Sequence, residues 1–292
     1  MELAKDILKK RPHLHEKSVK TYGSVLKSIM KDLDMKSHKD LDDHKKVMEY
    51  LKEMPPNKRK TRLSALFVLT ENDNYKSKML EDINEYNSNV SKQDKNEKES
   101  ENWISKDAVI SLYDKMKKDA NSIMKKGDLK MRDLQEVQNF IMIALFVLIP
   151  PRRALDYVEM KIKNVDKKAD NYIQGNKLVF NTYKTSKSKG QQIVDIPKEL
   201  KTILNKWVKI NPSEYLLFDA KGNKLSSVKI NQRFEKIMGK KFSVNMFRKL
   251  FLTDKYGDTV KKMKQLEKDM IEMGSSKAQI NHYVKNDDEE ED

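Results

Sequence analysis

The sequence predicts a mainly α (α+β) protein in two parts. A small all-helical N-terminal domain is expected over 1–88, and a mostly helical domain with one small antiparallel sheet over 102–285. Three observations carry this expectation. Apolar residues recur at three- and four-residue spacing through most of the chain, the stripe of helices that bury one face. Between about 157 and 197 the pattern changes to alternation, as half-buried strands require. The stretch NSNVSKQDKNEKESE (87–101) holds almost no apolar anchor, so a linker is expected over 89–101. A chain of 292 residues has length enough for two cores.

The elements follow in order. Val19, Tyr22, Val25, Leu26, Ile29, Met30 and Leu33 form one helical stripe. A second helix is expected from Leu41 to Met54, with Val47, Met48 and Leu51 inward, ended by Pro55-Pro56. In NKRKTRLSALFVLT, the cations Lys58, Arg59, Lys60 and Arg62 precede an apolar run. Cations at a helix start oppose the helix dipole, so something else must favour them: a DNA backbone, or plain solvation of an exposed face. One more helix, to about Tyr86, completes the first domain.

The second domain starts near Trp103, with helices at about 105–118 and 132–149. It is organised around FIMIALFVLIPPRRALDY, Phe140 to Tyr157. Ten apolar residues are too few to span a bilayer and read as a fully buried helix, which Pro150-Pro151 ends. Arg152 and Arg153 follow at once. Arginine is scarce among the 60 basic residues, so at a buried corner its planar fork is the point of using it. That fork suits a phosphate, or a carboxylate that ties two helices together. YVEMKIKNVD, KLVFNTYKT and QQIVDIP then alternate as three short strands, the last two a hairpin through SKSKG. Helices return at about 198–209 and 226–238 and from Val244 onward. There, Val260, Met263, Leu266, Met270 and Met273 read as packing, and Ser276-Lys277-Ala278-Gln279 as a capping box.

Composition narrows the function. The net charge is +15 even with the acidic tail over 286–292, so the folded body is more basic still and points to a polyanion, most simply nucleic acid. Cysteine is absent, which excludes disulfides and thiolate zinc sites and fits an intracellular protein. The start MELAKDILKKRPH has no apolar signal region, and no segment reaches membrane-spanning length, so neither secretion nor membrane association is expected. His13 and His15 lack an evident third metal ligand, and the phosphate-loop, dinucleotide-binding and serine-hydrolase motifs are missing. Neither a metal nor a cofactor is expected.

Four elements of the second domain then line up: Arg153 in R-A-L-D-Y, Lys184 in TYKTSKSKG, Arg248 in VNMFRKLFLT, and Tyr283 in MGSSKAQINHYVK. Their order and spacing resemble the tyrosine recombinase (phage-type integrase) family, in the divergent form found in large DNA viruses and their mobile elements. The resemblance covers nearly the whole chain. It implies that the N-terminal unit is a core-binding domain and that 102–285 is the catalytic domain. It implies Tyr283 as nucleophile, Arg153 and Arg248 as clamps on the transition-state phosphate, and Lys184 as general acid, with Lys187 and Lys189 close enough to compete. Two positions depart from the pattern: Asn245 and Ser275 stand where the family has histidines, and His282 is the one imidazole of this domain. Lys58, Arg59, Lys60, Arg62, Arg152, Lys187, Lys189 and Lys249 are the expected DNA contacts.

The implied activity is cutting and rejoining double-stranded DNA through a 3′-phosphotyrosyl intermediate, by protomers that self-associate on DNA as dimers to tetramers. This chemistry needs no cofactor: a phenol oxygen displaces the 5′-oxygen, two guanidinium forks hold the charged oxygens, and a lysine supplies the leaving proton. A DNA-binding relative that has lost catalysis, or a type IB topoisomerase-like nicking-closing enzyme, are the alternatives.

Overall fold

The computed structural model describes residues 2–285. The acidic tail over 286–292 lies outside them. The chain divides into two compact units, Met1–Asn96 and Glu97–Asp292. The fold is mainly helical, with one small four-stranded sheet in the second unit.

The first unit contains α1 (Glu2–Lys10), α2 (Glu16–Asp32), a 3-10 turn (His38–Asp42), α3 (His44–Leu51), α4 (Pro56–Thr70) and α5 (Asp73–Ser91). The stripe that begins at Val19 does face a core, with Val19, Leu26 and Ile29 buried. The helix expected from Leu41 is two pieces. Ser37 and Asp40 form a capping box around the 3-10 turn, and the Asp43 side chain then accepts from the Lys46 N–H to start α3. Pro55 and Pro56 act together: Pro55 caps α4 and Pro56 takes its first position, where a missing N–H costs nothing.

The second unit begins inside the expected linker. α5 runs on to Ser91, and α6 occupies Glu97–Asn102. Polarity alone reads as linker, but α6 is held by polar partners rather than by an apolar face. Glu99 pairs with Lys249, and the Asn102 side chain accepts from the Lys241 N–H. Next come α7 (Lys106–Ile123) and α8 (Met131–Val147); every residue from Phe140 to Phe146 on α8 is buried. The C-terminal half of α8 is therefore the middle of the unit, as its ten-residue apolar run requires.

After α9 (Ala154–Val158), the sheet is built from β1 (Met160–Lys161), β2 (Asn171–Gln174), β3 (Lys177–Phe180) and β4 (Gln192–Asp195), side by side in that order. The β2–β3 and β3–β4 pairs are antiparallel, whereas β1 lies parallel to β2, so the sheet is mixed. The reason is that β1 serves two neighbours. Its other edge bonds the 214–216 segment, through Ile162 N–H to the Glu214 carbonyl and Leu216 N–H to the Met160 carbonyl. β2 has no alternating pattern to announce it. What closes the β2–β3 hairpin is Gly175 at φ +60, the left-handed residue of a glycine-first two-residue turn. Between β3 and β4 the connection is no tight turn: it carries a one-turn helix, α10 (Ser186–Lys189).

α11 (Lys198–Ile210) and α12 (Ser227–Met238) complete the core. α13 (Val244–Glu272) is one continuous 29-residue helix, buried at Val244, Met246 and Phe247 in its first turn and afterwards at Met270. The packing expected of its later apolar residues is met in part: Met270 is buried and Val260 and Leu266 are half-buried, whereas Met263 and Met273 are exposed, with no described residue covering them. α13 ends with Gly274 at φ +72 and a Ser275 N–H bond back to the Met270 carbonyl, a glycine-terminated helix stop. A 3-10 turn (Lys277–Gln279) and α14 (Ile280–Tyr283) follow. The capping box expected at Ser276 is absent: its side chain makes no cap bond, since the segment opens as 3-10.

Candidate phosphate-binding site

Arg153 owes its position to the prolines. They stop α8, leave the chain extended at Arg153 (φ −72, ψ 149), and α9 starts on the next residue with Asp156 N–H bonding the Arg153 carbonyl. The two arginines are then treated differently. Arg152 Nε donates to Asp156 Oδ2 at 2.9 Å and Nη2 to Gln192 Oε1 at 3.0 Å. Its guanidinium also lies over the Phe180 ring at 3.9 Å and near Tyr183 at 5.4 Å. Arg152 is thus committed to joining the α9 lead-in to β3 and β4. Arg153, half-buried, makes no side-chain hydrogen bond or ion pair among the described residues. Asp156 is buried, and burial pushes its carboxyl up, against the pull first of Arg152 and then of Arg153. Its Oδ1 has no hydrogen-bond partner among the described residues.

Lys184 directly follows Tyr183, which is buried with its hydroxyl donating to the Gly190 carbonyl. The base of the 181–191 loop is therefore fixed while its cations stay free: Lys184, Lys187 and Lys189 are all exposed. Buried Asn171 fixes the other side. Its Nδ2 donates to the Asp156 and Thr182 carbonyls, and its Oδ1 accepts from the Asn181 and Thr182 N–H groups. One side chain thereby ties the helix that Arg153 caps to the loop that carries Lys184.

Arg248 lies in the second turn of α13, half-buried and, like Arg153, without a side-chain hydrogen bond or ion pair among the described residues. Its neighbour Phe247 anchors it. Phe247 packs on Phe146 (5.3 Å between centroids), Phe146 on Tyr157 of α9 (5.2 Å), and Tyr157 on Phe180 (6.2 Å), the ring that Arg152 covers. A continuous aromatic seam thus underlies the starts of α9 and α13 and the end of β3. Asn231 of α12 sets the start of α13, because its Oδ1 accepts from the Val244 N–H where Ser243 makes no cap bond. Asn245 is exposed beside it, and Lys249 is paired with Glu99.

Tyr283 does not join this group. It is 59% exposed in the one-turn helix α14, with His282 exposed beside it and Ser275 at the α13 stop. Met270, at the end of α13, lies about 33 Å along the helix axis from Arg248. The seam thus joins the elements that carry Arg153, Arg248 and the lysine loop, whereas Tyr283 lies beyond the other end of α13.

In the first unit, Arg59 is held internally. Its Nε and Nη2 grip both oxygens of buried Asp82 at 2.8 and 2.6 Å, and Nη1 donates to the Lys52 and Met54 carbonyls. The Lys60 ammonium sits over the Tyr86 ring, 3.3 Å from its centroid. These partners offset the dipole penalty of cations at the start of α4. Lys58 is exposed, and Arg62 is half-buried with no hydrogen-bond partner for its Nε among the described residues. The sequence reading missed Asn171 and Asn231. Lone asparagines carry no pattern, and only the fold shows what they join.

Neither a protein-family model nor a curated protein matches the sequence. Among solved structures, the chain is similar to the crystal structure of XerA recombinase, at 14% identity and a TM-score of 0.36, over 87% of this chain and 83% of that one. A likeness at that level establishes neither family nor function.

Proposed function

We propose that this protein is a site-specific DNA recombinase that cuts and rejoins DNA through a 3′-phosphotyrosyl intermediate. One observation carries the reading: Arg153 leads into α9 and Arg248 lies on α13, two helices joined through the Phe247–Phe146–Tyr157 ring contacts, and both arginines are half-buried with no carboxylate partner among the described residues. In a strongly basic chain, two unspent guanidinium forks beside a loop of exposed lysines suit a phosphodiester whose charge grows in the transition state. In the step itself, the Tyr283 Oη–P bond forms as the P–O5′ bond breaks. The phenol proton passes to solvent, to which Tyr283 is exposed, and the 5′-oxygen takes a proton from Lys184. Asn245 serves as a neutral donor, holding position rather than moving a proton.

A second reading is a DNA-binding relative without catalysis, favoured by the distance of Tyr283 from the arginines. One experiment decides between them. The protein is incubated with a library of nicked duplexes randomised around the nick, and covalent adducts are resolved on a denaturing gel. The recombinase reading expects an adduct that Tyr283→Phe abolishes while DNA binding persists. No adduct, or one that survives Tyr283→Phe and maps to Tyr256, would overturn it.

A further inference from the structure

Away from the arginines, the second unit leaves a furrow open. α7 and α11 both pack on α8, and two adjoining hollows of about 350 and 510 Å³ beside them share Asn121, Met124 and Lys206. Met124, Phe140, Ile203 and Ile210 give the furrow an apolar floor. Met124 and Ile210 are only half-buried, so part of that floor meets solvent. The lining residues recur at three- and four-residue spacing, from Lys117 to Lys125 on α7 and from Lys198 to Ile210 on α11. Each helix therefore turns one face to the furrow.

The rims are cationic. Lys125 follows α7, and Lys198, Lys206 and Lys209 stand on α11, all four exposed and none paired with a carboxylate among the described residues. Glu199 is the one acid of the lining, and it is already engaged. It accepts from the Tyr113 hydroxyl and from the Lys117 ammonium, each at 2.5 Å, which ties α7 to α11. Those bonds, Lys117 first and then Tyr113, hold its carboxyl below the ordinary value. The four remaining ammonium groups repel one another, and a bound anionic partner relieves that repulsion.

We infer that this furrow docks an acidic amphipathic helix of a partner protein, with its apolar side chains on the floor and its carboxylates against the lysine rims. Charge complementarity selects the occupant. A nucleic acid would satisfy the lysines but leave the floor unused, because a phosphate backbone gains nothing from a recessed apolar surface. A wholly apolar segment would cover the floor but leave the rim charges without partners. A helix laid in a groove meets both demands, with anchors every three or four residues and acids on its flanks. The α11 lining, from Lys198 to Ile210, covers about 18 Å of helix axis, so the bound helix needs roughly twelve residues, or three turns. No residue of the furrow belongs to the proposed phosphate site, so docking stands whether or not the protein cuts DNA.

The test selects a phage library of random peptides, about sixteen residues long, on the full-length protein at physiological salt. Enriched sequences should be acidic, with apolar residues at three- and four-residue spacing. The affinity of the best peptide is then measured by fluorescence anisotropy on two variants. Lys206→Glu with Lys209→Glu reverses one rim, and Met124→Asp charges the floor. Each should weaken the peptide by about tenfold or more while the urea-unfolding midpoint holds. Affinity for a duplex of unrelated sequence should move by less than about threefold, since charges beyond a Debye length are screened. The rim variant alters exposed side chains alone, so it decides the matter if Met124→Asp unfolds. Failure to enrich that pattern, or a peptide whose affinity either folded variant leaves unchanged, would overturn the docking and make the furrow ordinary solvated surface. Duplex affinity that falls with rim reversal as far as the peptide's would overturn it too, and would assign these lysines to DNA.

Discussion

Two proline pairs, Pro55-Pro56 and Pro150-Pro151, turn the chain between helices in the two units, and each is followed by a cluster of cations. Each cluster gives one arginine to a buried aspartate, Arg59 to Asp82 and Arg152 to Asp156. They differ in what is left over. At the first corner both carboxylate oxygens of Asp82 are used, two main-chain carbonyls take the rest of the guanidinium, and Lys60 covers a ring. At the second, Asp156 uses one oxygen and keeps the other buried without a hydrogen-bond partner among the described residues, while the Arg153 side chain beside it makes no hydrogen bond or ion pair among them. The first corner is a closed structural joint. The second is joint and site at once, with the positive charge of Arg153 still available to a ligand. Counting cations in a sequence overstates what a polyanion can reach, because the nearest buried carboxylate decides which arginine is free.

The sharpest way to break this comparison is to remove the aspartates. Asp82→Ala strands a guanidinium that is 11% exposed and should cost about 3–5 kcal/mol in urea unfolding. Asp156→Ala should cost clearly less. Its carboxyl is already disfavoured by burial, and Arg152 keeps Gln192 and the Phe180 face. Equal losses at the two sites would mean that the corners are built alike.

The next effect separates the adjacent arginines. Arg153→Lys keeps the charge and loses the fork, so adduct formation should fall by on the order of 10²-fold with the unfolding midpoint unmoved. Arg152→Lys should do the reverse, lowering stability through the lost stacking on Phe180 and the lost fork that reaches both Asp156 and Gln192. If Arg153→Lys unfolds the protein early and cleaves within a few-fold of wild type, the roles of the pair are exchanged.

The sequence could not make that separation. Arg152 and Arg153 stand four and three residues before Asp156, and either spacing suits an ion pair on one helical turn. Patterns were enough for the stripe of α2, where period and composition coincide, and for the apolar runs of α4 and α8, where composition alone suffices. They were not enough for β2, whose NYIQ neither alternates nor stands alone as apolar, although the Gly175-Asn176 step after it is a hairpin signal. Nor were they enough for α6, which is held by Glu99 and Asn102 through groups that look like solvated linker. The same limit hid Asn171. Its four hydrogen bonds reach residues from 156 to 182, so nothing local announces them. Asn171→Ala should cost about 1–3 kcal/mol by leaving buried groups unpaired, and should lower adduct yield more than stability alone explains. Replacing Lys184 by Gln in that background separates the effects: a positioning role predicts that the two losses do not add.

The smallest expected effect lies within the first corner and tests whether its remaining cations meet DNA at all. Lys58 is exposed, and its ammonium pairs with no carboxylate among the described residues, whereas the Arg59 guanidinium is fully engaged. If this face tracks a phosphate backbone, Lys58→Gln should flatten the dependence of log affinity on log salt by about 0.9, the counterion release of one contact. Arg59→Gln should leave that slope alone and lower the unfolding midpoint instead, since its charge is already neutralised by Asp82. Affinity measured from low to moderate salt on duplexes of unrelated sequence reads the slope, and urea unfolding reads the second arm. A slope that moves for Arg59→Gln and not for Lys58→Gln would show that DNA competes Arg59 away from Asp82. The first corner would then be an opening site rather than a closed joint, and the distinction between the two corners would fall.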